Sequence, residues 1–209
     1  MVISHPTLGL VNMAIRATSP NPDQQVADTI ALMREYVNAD AHSPEIQRDI
    51  RAAGAQYGGG IQGLYAFVKS RMRFTQDHEL SKPVEGITRD NPVVEVLIRP
   101  VDLSNITQTN IGTGDCDDYS MYLAALLVGA GIPASFVTVA ADPELPRDYS
   151  HVYVAAYPSG GRAPVRIPMD ASHGQYVGWE VANRFGKIRE WPIWGRVGNF
   201  NRGGNGIWD

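Results

Sequence analysis

The sequence predicts an α+β fold in which a cysteine-bearing helix packs on an antiparallel sheet, with further helices before it. Three observations carry the prediction. Apolar residues recur at helical spacing in the first third of the chain. A nearly unbroken apolar stretch, Leu123 to Val128, follows a run of Gly and Asp. Three short runs rich in strand-forming residues come next. Helices first and strands later is the pattern of segregated α+β packing.

The elements follow in order. Asp23 offers a carboxylate to the free N–H groups of a first helical turn. Val26, Ile30, Met33 and Val37 then fall on one helical face, which predicts a helix over 23–39. Ser43 and Pro44 are a cap and a first helical residue. That second helix is expected to end near Gly54, before the glycines at 58–60. Ile61, Leu64, Tyr65, Val68 and Met72 form the stripe of a third helix over 61–73. The polar stretch from Phe74 to Asn91, with Pro83 and Gly86, reads as a loop. Residues 93–98 are apolar but too short to type, and Pro100 ends them. Leu123 to Val128 is apolar on most sides, the mark of a central buried helix. Gly129, Gly131 and Pro133 stop it. The runs 134–140, 149–157 and 164–169 read as strands, the second with alternating Val152, Val154 and Ala156. The glycine-rich tail docks, if at all, through Trp208. The resulting division is a helical segment over 1–58, a core over 59–194 and a tail over 195–209.

Composition excludes several classes. The 209 residues carry a net charge of −4, with Lys and Arg scattered rather than clustered. That is no nucleic-acid footprint and no basic membrane face. A single cysteine forbids an internal disulfide and suits a reducing compartment or a catalytic thiol. No stretch approaches the ~18 apolar residues of a membrane span. Met1 to Pro20 lacks the basic and apolar regions of a secretory signal. The expectation is a cytoplasmic protein.

The chemistry centres on TGDCDDYS. Cys116 sits where a loop becomes a helix, so free N–H groups and the helix dipole favour its thiolate. Its own N–H suits an oxyanion hole. Free cysteines are also common as small buried apolar residues. Asp115, Asp117 and Asp118 oppose activation, because negative charge raises a thiol pKa. They also suit helix capping. An imidazole must therefore supply much of the activation. His151 lies on the second strand, in YSHVYV. Alternation puts His151, Tyr153 and Ala155 on one face, which is taken to look toward the cysteine helix. Asp170 ends the third strand, where its carboxylate would fix the imidazole tautomer. A strand histidine in a core and an aspartate in a turn are the ordinary alternatives. His173, in a polar glycine-flanked loop, competes for the base role. Gln108 and Asn110 are the nearest upstream amides for an oxyanion donor.

The ordered set of GDC, the apolar helix, GIPA (131–134), SHVYV and PMD resembles the transglutaminase-like superfamily. The likeness covers Gly114 to Asp170. GDCDDYS is similar to the bacterial transglutaminase-like cysteine peptidases and to related proteins of phages and prophages. The resemblance implies a papain/transglutaminase-like core with Cys116 as nucleophile, His151 as base and Asp170 as orienting acid. It implies a thiol hydrolase, a cysteine peptidase or amidase, acting on a protein or peptide through an acyl-enzyme. The alternatives are a protein-glutamine acyltransferase and a non-catalytic phage or virion module assembling with other phage proteins. Virion association is the corresponding alternative location. No cofactor is expected, with one exception. Some of the similar peptidases need calcium, and Asp115, Asp117 and Asp118 offer hard oxygen ligands. Hydrolysis is favoured over transfer because residues 74–91, the natural lid, are polar and leave the cleft open to water.

Overall fold

The computed structural model describes residues 2–5, 9–17, 21–81, 94–158 and 165–193. The chain is mixed helix and sheet. Two strands that the sequence pattern did not announce come first, β1 (Val2–His5) and β2 (Gly9–Ala17). They are followed by helices α1 (Pro22–Asp40), α2 (Pro44–Tyr57) and α3 (Gly60–Arg71). Asn21, not Asp23, caps α1: its side chain accepts from the Gln24 N–H, and Pro22 opens the helix. Asp23 sits in the first turn and pairs with Lys187 at 2.5 Å. Ser43 caps α2 as expected, accepting from the Ile46 N–H at 3.3 Å. This helix runs through Gly54, because one exposed glycine costs only ~1 kcal/mol. It stops at Gly58, whose φ of +84° breaks the helical path.

The third helix stops at Arg71, and Met72, expected on its apolar stripe, instead opens β3 (Met72–Phe74); the stretch expected to be a loop then holds α4 (Asp77–Ser81). Residues 82–91, the rest of the expected lid, lie outside the described residues. The ambiguous apolar run is a strand, β4 (Val94–Ile98), paired antiparallel with β2. Pro100 does not merely end it but opens α5 (Pro100–Ile106). Next come β5 (Gly112–Gly114), parallel to β3, and α6 (Cys116–Gly129).

The main sheet holds β6 (Ala134–Val139), β7 (His151–Ala156), β8 (Ile167–Met169) and β9 (Ile188–Ile193), all antiparallel, in the order β8-β7-β6-β9. β9 is an edge strand carrying Pro192, which only an edge tolerates. α6 is the axis of the molecule. Met121, Leu123, Ala124, Leu126 and Leu127 are buried, and it packs on α1, α2, α3, α5, β6 and β7. Ser120 Oγ donates to the Val152 carbonyl at 3.2 Å and ties helix to sheet. Val152, Val154 and Ala156 join α6 in the main core, while Tyr153 and Ala155 pack with Val137 and Val139 on the opposite face. By parity His151 therefore belongs to the face away from α6, opposite to the expectation. As the first residue of β7 it still lines the same cavity as Cys116. No helix among the described residues is long and apolar enough to cross a membrane. The tail over 195–209, with Trp208, lies outside them.

Candidate active site

Asp115 caps α6 by accepting the Asp117 N–H at 3.0 Å, which makes Cys116 the first residue of the helix. First-turn N–H groups have no intrahelical acceptor, so the Cys116 amide is available to a ligand. The N–H of Val152 on β7 hydrogen-bonds the sulfur. The thiol lies 3.8 Å from Asp117 Oδ1. Cys116 and His151 line one cavity of about 210 Å³, whose walls include Gln25 and Thr29 of α1 and Glu95 of β4.

His151 is joined to Asp170. Nε2 lies 2.7 Å from Oδ2, with the imidazole 8% exposed and Asp170 wholly buried. The other carboxylate oxygen, Oδ1, accepts from the Ser172 N–H (3.1 Å), Ser172 Oγ (2.9 Å) and the His173 N–H (2.9 Å). Tyr65 and Gly174 donate to its backbone carbonyl. Burial would raise the Asp170 pKa. The hydrogen bond and charge of His151, with the His173 and Ser172 donors, outweigh it and hold the carboxyl at about 2. Asp170 is therefore an anion at neutral pH. With Nε2 committed to it, Nδ1 is the ring nitrogen left for a thiol.

His173, the competing base, does not replace His151. It stands beside it, ring edge-on at a centroid distance of 4.9 Å, and makes the same kind of contact with half-exposed Phe74. The amide candidates fall elsewhere. Gln108 donates to Asp49 and Ser104 in a buried network with Tyr122, and Asn110 donates to Thr109. Gln25 is the amide that shares the cavity with Cys116.

The acids around the sulfur form a larger cluster than the sequence suggested. Asp118 is wholly buried and accepts the Ile98 N–H at Oδ1 (2.8 Å). Gly114 makes room for it, since a Cβ there would lie 2.4 Å from Asp118 Oδ2. Asp77 accepts the Val96 N–H at 2.7 Å. Carboxylate oxygens of Asp77, Asp115 and Asp118 lie within 4.8 Å of one another, as do the ligand atoms of Asp115, Cys116 and Asp117. Glu95 adds a fifth carboxylate, close enough to Asp117 to raise its pKa. Burial and mutual repulsion raise the Asp115 pKa to about 7 and push those of Asp77, Asp117 and Asp118 up as well. The same causes act on the thiol. Burial first, then Asp115 and Asp117, push Cys116 well above the ordinary range, and the Val152 N–H opposes them. The helix start alone therefore does not make a thiolate here.

The residues fit a hard divalent cation. Three buried carboxylate oxygens in the cluster, Asp77 Oδ1, Glu95 Oε1 and Asp118 Oδ2, have no hydrogen-bond partner. The sequence had pointed to Asp115, Asp117 and Asp118. Asp77 and Glu95 are additions, and Glu95 was visible as the one charge inside an apolar run.

No protein-family model and no curated protein matches this chain. A similar solved structure is that of a "putative cysteine protease" from Cytophaga hutchinsonii, 16% identical, with a TM-score of 0.38. The match covers 87% of this chain and 53% of the other, so this chain spans about half that protein's length. The likeness is too loose to assign an activity.

Proposed function

We propose that this chain is a thiol hydrolase that cleaves an amide bond of a protein or peptide through an acyl-enzyme on Cys116. The observation that carries the reading is the His151–Asp170 pair: a 2.7 Å bond from a buried, ionised carboxylate to an imidazole that shares a cavity with the chain's one thiol.

On this reading each residue has one role. Asp170 accepts from Nε2–H and keeps Nδ1 unprotonated. Nδ1 takes the Cys116 proton as the sulfur attacks the carbonyl carbon. The oxygen that gains charge is met by the Cys116 N–H at the positive end of α6. His151 then gives its proton to the departing amine, leaving a thioester. It next takes a proton from water as water attacks, and free acid and thiol are released. Calcium, held by Asp77, Asp115 and Asp118 with Glu95 beside them, would offset the negative potential that raises the thiol pKa.

Partition of the acyl-enzyme tests hydrolysis against transfer. Cys116 is loaded with an activated acyl ester, and a primary amine is added at millimolar concentration. Free acid is expected to dominate, and Cys116→Ser is expected to form no acyl-enzyme. Product dominated by the amide would overturn the hydrolase reading in favour of an acyltransferase.

A further inference from the structure

His173 has no part in the reaction described above, yet it is tied to the same group. Ser172 has one hydroxyl hydrogen and gives it to Asp170 Oδ1 at 2.9 Å. Its oxygen lies 2.9 Å from His173 Nδ1, so Nδ1 must carry a proton. In the neutral ring that leaves the Nε2 lone pair open. A ring nitrogen of His151, a ring nitrogen of His173 and a carboxylate oxygen of Asp170 lie within 4.8 Å of one another.

We propose that His151, Asp170 and His173 form a binding site for a zinc-type transition-metal ion, and that filling it switches Cys116 off. Two imidazoles and one carboxylate are a donor set for zinc, not for calcium or magnesium. In a tetrahedral zinc site the ligand atoms sit about 3.4 Å apart, given bonds of ~2.1 Å. The His151 Nε2–Asp170 Oδ2 pair, now 2.7 Å apart, must open by roughly 0.7 Å to reach that spacing, with His173 already within 4.8 Å of both. His173 is exposed and supplies both the movement and the entry path. Three protein ligands leave a fourth position to water.

The inhibitory half rests on the catalytic reading given above. Coordination through His151 Nε2 uses that lone pair and shifts the ring proton to Nδ1. No proton is released, but Nδ1 can no longer accept one from Cys116. The metal thus silences the thiol without touching the sulfur.

The test is calorimetric titration of zinc chloride into the full chain, in wild type, His173→Gln and Cys116→Ser. With millimolar calcium present to fill the acid cluster, one zinc ion per chain is expected, with equal affinity in wild type and Cys116→Ser. Loss of a ligand in His173→Gln is expected to weaken binding by about tenfold or more. Cobalt(II) in the wild type is expected to show tetrahedral visible bands without a sulfur charge-transfer band. Zinc is expected to slow iodoacetamide alkylation of Cys116. No binding at millimolar zinc, unchanged affinity in His173→Gln, or lost affinity in Cys116→Ser would overturn the site. Binding with no slowing of alkylation would overturn the switch. Failure of the triad reading is seen separately, as metal-free alkylation that ignores His151→Ala while zinc still binds.

Discussion

Asp170→Asn is expected to fold and to lose about 10⁴ in the turnover of an activated ester, the scale on which a wrong imidazole tautomer acts in a triad. The argument is local. Asp170 Oδ2 accepts the Nε2–H of His151 and thereby leaves Nδ1 as a lone pair. Asparagine keeps an oxygen for the Ser172 and His173 donors and turns its NH₂ toward Nε2. That nitrogen must then be the acceptor, and the proton moves to Nδ1, where it blocks transfer from Cys116. Stability falls less. The carboxyl is held at about 2, against 3.8 for an ordinary aspartate. At 1.36 kcal/mol per pKa unit that is about 2–3 kcal/mol. A depressed carboxyl pKa stabilises the fold above the unfolded value, so this contribution is present at neutral pH and is lost as pH falls from about 4 toward 2. A chemical denaturation midpoint measures the folding cost, and ester turnover measures the rate. An Asp170→Asn variant with near wild-type turnover would contradict the role given to Asp170.

The second large effect concerns the acid cluster. Carboxyls with raised folded pKa values favour the folded state only while protonated. Their contribution is lost as pH rises above the unfolded value, through about 7 for Asp115 and higher for Asp77. In chelator, the melting temperature is therefore expected to fall between pH 5 and pH 8. Millimolar calcium is expected to suppress that fall. An ion at 100 times its Kd stabilises by about 2.7 kcal/mol. For a chain of this size that is roughly 5–10 °C. Calcium is also expected to speed alkylation of Cys116, since Asp115 and Asp117 are among the groups that push its pKa up. Superimposable melting curves with chelator and with calcium at pH 8 would remove the cation.

What could be read from the sequence was local. The Ser43 cap, the buried helix after Gly114 and the strands β6 and β7 declare themselves through spacing and side-chain type. The order Cys116, His151, Asp170 was visible as well, and the fold brings His151 onto Asp170. Features that depend on distant partners were not visible. β2 contains Met13, Ala14 and Arg16, which favour helices, and is a strand because β4 pairs with it. β9 holds Arg189, Glu190 and Pro192 and is a strand because β6 does the same for it. Alternation along β7 held but the face was misassigned: the apolar Val152, Val154 and Ala156 pack in the core with α6, and His151 goes by parity with Tyr153 and Ala155. Gln108 was chosen by nearness in sequence, while Asp49, 59 residues away, holds its amide. The acid cluster draws Asp77 and Glu95 from separate elements, and only Glu95 left a trace in the pattern.

The central claim is that Cys116 works through His151. Its most direct test is the rate of Cys116 alkylation by iodoacetamide as a function of pH, in wild type and His151→Ala, read by intact mass. Burial and the flanking acids leave the lone thiol hard to ionise, so the base must carry the activation. The expected result at pH 7 is a rate lower by about 10²-fold in His151→Ala, the low end for a positioned base. The midpoint of the variant is expected above that of the wild type. Two profiles of the same height and midpoint would contradict the account.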